Sequence, residues 1–271
     1  MRSNIFRTAI IFAFIMFAGP AVGQSQPQVI NIPLSQPGEP VSLDISILSA
    51  RIEVIGEDRD DAEFTVTVES GERKIITPSG TQSISNAAYA LEVDEEDNRI
   101  TVDTDWNANK VNIVARIPRR ADLTLDTTND GEILVSNIVG NLQLENMNGP
   151  ITATNISGSV IAETINDTID VSFSSIDSAD AMSMVSLNGD LRLGLPSGAG
   201  VQLHIDTAEG EIFSDFEVEV QESKPVVERR ENRGGIEVRV ESVIIADVNG
   251  GGTIIKLKTL NGEIQIRDSA K

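Results

Sequence analysis

There is no cysteine anywhere in the 271 residues. That excludes disulfides, thiolate metal sites, cysteine nucleophiles and a lipid-modified cysteine behind a leader. Histidine occurs once, at His204, so a histidine-dependent triad would need that residue, and a zinc site would have no histidine partner for it. Leu203-His204-Ile205-Asp206 reads instead as an ordinary alternating strand. Aromatic residues are 4% of the chain, with one tryptophan and one tyrosine. Trp106 and Tyr89 are too isolated to make a stacking platform for sugars, and Trp106 reads as a cap residue. Basic residues are also scarce: 21 Lys and Arg stand against 42 Asp and Glu, a net charge of −21. Such a surface repels nucleic acid and anionic headgroups, so neither is expected as a partner.

Only one long apolar run exists. Arg2 and Arg7, the uncharged stretch from Thr8 to Ala18, and the small residues Ala21 and Gly23 before Gln24 form the pattern of a secretory signal peptide, residues 1–23. The run is too short to cross a bilayer comfortably, and no later stretch could anchor the mature chain. An uncleaved N-terminal anchor is the alternative. Cleavage would remove two arginines and no acid, leaving a still more acidic protein. The expected location is the periplasm, the cell surface or the medium.

What the sequence has in abundance is repetition. Gly131, Gly140, Gly149, Gly158 and Asp167 stand nine residues apart, each flanked by apolar residues alternating with polar ones. In 18-residue units, Ile133, Ile151 and Ile169 align, as do Val135 with Ala153 and Val171, Ile138 with Ile156, Leu142 with Val160, Leu144 with Ala162, and Met147 with Ile165. Alternate residues of a strand share a face, so these positions are expected to form inward apolar columns. Ser136, Thr152, Thr154 and Asp170 would then face water. Asn137 and Asn155 mark one corner and Asn148 and Asn166 the opposite one. Asparagine tolerates the left-handed backbone of a tight bend, and its amide can bond to its counterpart one coil away. Corner chemistry accounts for these residues without a ligand, although Asn155-Ile-Ser and Asn166-Asp-Thr also fit the glycosylation pattern.

The predicted fold is therefore all-β: a single-chain parallel β-solenoid, right-handed and β-helix-like, with N-terminal capping strands. Residues 24–120 hold the N-terminal strands and cap, 121–215 the regular repeat, and 216–271 a long loop with closing strands. The stretch from Gln221 to Gly235, with its charged Arg229-Arg230-Glu231-Asn232-Arg233, reads as a solvated excursion.

The opening at Ile52-Glu53-Val54-Ile55-Gly56, the strand Val111–Pro118 followed by Leu123 to Ile133, and the closing Gly250 to Ile266 resemble a bacterial β-strand-repeat family of unassigned function. That family carries the label "putative adhesin" and is related to autotransporter-adhesin head domains. The resemblance spans about residues 40 to 267, is architectural, and implies an extracytoplasmic solenoid with no established catalytic residues.

Two kinds of chemistry could lie within the repeat. Calcium-bound β-rolls share a nine-residue period, but their Gly-Gly-x-Gly-x-Asp signature is absent; Asp58 to Asp61 and Asp94 to Asp97 are where calcium would bind. Asp126, Glu145 and Glu163, spaced 19 and 18 residues apart, should lie on successive coils. This column could bind a sugar or do acid–base work, though outward positions of an acidic protein are commonly acidic. With no recognisable catalytic or cofactor constellation, the expectation is a non-enzymatic interaction module. Its candidate partners are a glycan, an envelope component or a protein. A carbohydrate-active solenoid enzyme and a structural or envelope-stress accessory protein are the alternatives.

Overall fold

The computed structural model describes residues 27–68, 91–104, 110–129, 131–176, 180–221, 226–232, 235–241 and 243–270. The proposed signal peptide, Tyr89 and Trp106 lie outside the described residues. Every regular element among them is a β-strand. A 20-stranded mixed sheet wraps around one aliphatic core, and a separate two-stranded hairpin stands apart from it.

The chain repeatedly lays one strand on a first ladder and the next on a second. Strand β1 (Gln28–Pro33) precedes the pair β2 (Val41–Ile47) and β3 (Ala50–Glu57). After β4 (Asp61–Val68) and β5 (Leu91–Glu96) comes the pair β6 (Arg99–Thr104) and β7 (Val111–Pro118). The regular zone follows as β8 (Ala121–Thr127) with β9 (Glu132–Ser136), β10 (Val139–Asn146), β11 (Ile151–Thr164), which turns from the second ladder onto the first, and β12 (Ile169–Ser175). Then come β13 (Met182–Val185) with β14 (Leu191–Leu195), and β15 (Val201–Thr207) with β16 (Ile212–Ser214). The remaining strands are β17 (Val218–Gln221), β18 (Val226–Asn232), β19 (Gly235–Glu241), β20 (Ile244–Val248), β21 (Thr253–Thr259) and β22 (Ile264–Asp268).

Pairing within the regular zone is parallel, with the 18-residue step as its register. Ile151 pairs with Ile133 and with Ile169, and Leu142 pairs with Val160 as Leu144 does with Ala162. The isoleucine column continues from Ile113 through Ile52 at one end to Leu191 and Ile264 at the other. All of these side chains are fully or almost fully buried. Each aliphatic residue thus rests on its counterpart in the coils on either side, which is how a chain poor in aromatic rings can fill its interior at ordinary packing density.

Met147 and Ile165 do not join an inward column. They are 47% and 39% exposed. Leu142, Leu144 and Asn146 point inward in alternation, so the next residue along the strand must point out.

The spatial order of coils is not the sequence order. On the first ladder, β2 lies between β6 and β8, and on the second, β3 lies between β7 and β9. Residues 41–57 are thus an internal coil, and the outer positions at that end belong to β1, β4 and β5, which pair antiparallel. The opposite end repeats the device. Strand β21 lies between β13 and β15, and β22 between β14 and β16. The last strands therefore do not close the far end as expected; β20 and β17 do so, antiparallel beside β15. The stretch at 221–235, expected as a solvated excursion, contains β18, which pairs with β19 as the separate antiparallel hairpin.

Close backbone approach explains the glycines of one corner. A Cβ on Gly149 would sit 1.8 Å from the Gly131 carbonyl oxygen, far inside van der Waals contact, and one on Gly189 would sit 1.7 Å from the Asp167 carbonyl oxygen. Only glycine lets the corners nest this tightly.

Candidate functional site

The first ladder carries its outward residues in straight rows, because register partners sit side by side. One row reads Ser46, Asp126, Glu145, Glu163, Val185, Lys258, Asp206. Asp126, Glu145 and Glu163 are therefore brought together on adjacent strands. Burial, and secondarily the charge of Glu145, push the Asp126 carboxyl above the usual carboxylate range. Glu145 accepts a 2.8 Å hydrogen bond from Gln143 Nε2. Further along the row, Lys258 Nζ meets Asp206 at 2.6 Å.

Two residues along each strand lies a second row, Leu48, Thr128, Met147, Ile165, Leu187, Leu260 and Ala208, aliphatic on every strand but that of Thr128. Leu48, Met147, Ile165, Leu187 and Leu260 are 39 to 55% exposed, and backbone hydrogen bonds join their coils, as from Ile165 N to Met147 O and from Leu260 N to Leu187 O. Between the two rows the surface is concave. The acidic and aliphatic rows line a groove of about 840 Å³.

An asparagine ladder borders the aliphatic row on the far side. Asn166 Nδ2 donates to Asn148 Oδ1 at 2.8 Å, Asn188 to Asn166 at 2.9 Å and Asn261 to Asn188 at 2.8 Å. At the other corner Asn155 Nδ2 donates to Asn137 Oδ1 at 2.6 Å, and both residues take positive φ, 56° and 60°. Gly131, Gly149, Gly140 and Gly158 sit where an added Cβ would strike the carbonyl of the adjoining coil. These residues build the corners that hold the groove straight.

Beneath the groove lies a buried polar column that the class-by-class alignment missed. Thr127, Asn146, Thr164, Ser186 and Thr259 are 1 to 6% exposed. Asn146 Nδ2 donates to Gly131 O at 3.1 Å, Thr164 Oγ1 to Gly149 O at 3.2 Å, Ser186 Oγ to Asp167 O at 3.1 Å and Thr259 Oγ1 to Gly189 O at 2.9 Å. Each coil thereby satisfies a corner carbonyl of its neighbour that would otherwise be buried without a partner. The signal was available: Thr127, Asn146 and Thr164 each follow one of the three acids.

The acidic stretches weighed for calcium serve other contacts. Arg59 bonds to Asp61 at 2.8 Å, which holds the Asp61 carboxyl below its ordinary range, and it also reaches Glu57. Glu95 accepts from the Ser35 and Asn98 backbone amides and from the Ser35 hydroxyl. Among the described residues no group of three or more His, Cys, Asp or Glu could hold a metal ion. His204 contacts Gln202 at 3.0 Å on an outward position of β15. No helix among the described residues is long and apolar enough to cross a membrane.

No protein-family model matches the chain, and no curated protein does. Solved structures with a similar chain path include a "putative cell adhesion protein" from Clostridium sporogenes, 13% identical, with a TM-score of 0.47 over 90% of this chain and 100% of that one. Another is a "putative adhesin" from Bacteroides fragilis, 11% identical, with a TM-score of 0.40 over 90% of this chain and 97% of that one. Likeness at these identities and TM-scores does not say what this chain binds. The molecule is an all-β protein whose solved structural neighbours include proteins named as a "putative cell adhesion protein" and a "putative adhesin".

Proposed function

We propose that the chain is an exported, non-catalytic β-solenoid of the adhesin type, working as a surface or envelope interaction module. The parallel crossovers give it a right-handed wind by the usual rule for such connections. Its binding surface is the groove of the first ladder. The observation that carries this reading is the aliphatic row Met147, Ile165, Leu187 and Leu260 on four successive strands, beside a row that holds Asp126, Glu145 and Glu163, on a scaffold whose corners hold both straight. Scattered single apolar residues on a surface are ordinary, whereas an aligned row rimmed by polar residues marks a contact site. The signal-peptide pattern at residues 1–23 supports export.

The raised pKa direction of Asp126 favours one other reading, a carbohydrate-active enzyme in which Asp126 is the acid and Glu145 the base. Both readings are tested with the purified chain on a glycan array, against envelope proteins and in a polysaccharide turnover assay. Capture of a ligand that is lost in Ile165→Asp, with no turnover, supports the interaction module. Turnover abolished by Glu145→Gln overturns it.

A further inference from the structure

We infer that the occupant of the groove is a cationic amphipathic α-helix of a partner polypeptide, its aliphatic stripe on the Met147 to Leu260 row and its Lys or Arg residues along Asp126, Glu145 and Glu163. This rests on the reading of the groove as the binding surface and adds the chemistry of what binds there.

Spacing selects the helix. Neighbouring strands are about 4.8 Å apart, so Met147, Ile165, Leu187 and Leu260 span about 14 Å in three steps. A helix presents one face every 5.4 Å, about 16 Å over three turns, and stays within about 2 Å of the row. An extended peptide repeats a face about every 6.8 Å, about 20 Å over the same count, and is out of step after two contacts. Apolar anchors at the i, i+4, i+7 and i+11 positions of a helix, about one turn apart, would each meet a coil.

Charge selects the sign. Among the described residues no cation pairs with Asp126, Glu145 or Glu163. The lysine of the same row, Lys258, is taken up by Asp206. Burial and a neighbouring carboxylate already work against the charge on Asp126, and a cation over the row screens the second and offsets the first. Sugar recognition would call for aromatic rings, whereas the Met147 to Leu260 row consists of Met, Ile and Leu.

The test uses the full chain and a labelled 18-residue helical peptide with a leucine stripe flanked by lysines, beside its glutamate-for-lysine analogue and a scrambled version of equal charge. Fluorescence anisotropy should show binding of the lysine helix alone, weakening as salt is raised. Glu145→Gln with Glu163→Gln should weaken it about tenfold, and Ile165→Ser with Leu187→Ser should weaken it similarly. Asp58→Asn with Asp60→Asn, exposed in the turn after β3 of the second ladder, should leave it unchanged. Equal binding of the scrambled peptide, equal loss in the Asp58/Asp60 variant, or no binding of the lysine helix would each overturn the inference. The two levels separate cleanly. If Ile165→Asp abolishes capture of a glycan or a second copy of this chain while the lysine helix does not bind, the groove survives as the site and its occupant was misassigned. If Ile165→Asp changes no capture and the helix does not bind, both fall.

Discussion

Ile151 stands at the middle of the isoleucine column, wholly buried, with Ile133 on one side and Ile169 on the other. Ile151→Ala removes three carbon atoms that make contact in both directions along the stack. Transfer of about 0.8 kcal/mol for each gives about 2.4 kcal/mol. The neighbouring coils are held at fixed spacing by backbone hydrogen bonds and cannot collapse into the gap, which brings the expected cost to about 3 to 4 kcal/mol. Met147→Ala, four residues earlier in the sequence, removes a comparable volume from the surface and should cost about 0.5 kcal/mol or less. Urea unfolding followed by circular dichroism measures both, with hydrogen exchange as a local check, since long stacked arrays can unfold in parts. Protection at Ile133, Ile151 and Ile169 should fall together in Ile151→Ala. Costs that are equal in the two variants, or a cost for Ile151→Ala below about 1 kcal/mol, would refute the inward and outward assignment of the two rows.

Two further outcomes follow from the polar groups. Thr164→Val is nearly isosteric but strips the hydroxyl that bonds Gly149 O, and should cost about 1 to 3 kcal/mol in chemical denaturation; the same change at exposed Thr154 should cost about 0.5 kcal/mol or less. Asp126 has its folded-state pKa raised, so between the unfolded and folded pKa values the folded protein binds more protons than the unfolded chain, and this group's contribution to stability falls as pH rises through that window. Asp126→Asn should therefore stabilise the fold at pH 7, with the gain vanishing once the solution is acidic enough to protonate the carboxyl in both states. A gain that persists unchanged at low pH would contradict the electrostatic origin.

The nine-residue period made the strands and the Ile133, Ile151, Ile169 stacking legible, because burial on one face of a short strand leaves its mark in local alternation. The same period sets Asp126, Glu145 and Glu163 on successive coils. The aliphatic half of the groove was hidden by reading side-chain class ahead of parity: Met147 and Ile165 resemble core residues, yet they follow the inward-pointing Asn146 and Thr164. Parity followed strictly would have exposed both the groove and the buried polar column. The interleaving of residues 41–57 and 253–268 left no such mark. Parallel strands of similar composition can pair in any order, and which coil slides between which is a matter of long-range packing. The one trace is the asparagine ladder, in which Asn261 bonds Asn188 across 73 residues.

That interleaving places Val185, Lys258 and Asp206 in the groove row in that order, and the absence of native cysteine makes it directly testable. Cysteines at Val185 and Lys258 occupy paired positions on adjacent strands, within the reach of a disulfide. Cysteines at Val185 and Asp206 are separated by an intervening strand, about 9.6 Å across, which is beyond it. Mild oxidation followed by peptide mass mapping should show an intramolecular bridge in the first variant and none in the second. A bridge between 185 and 206, with none between 185 and 258, would mean that the coils stack in sequence order and that the groove described here is not the surface the protein presents.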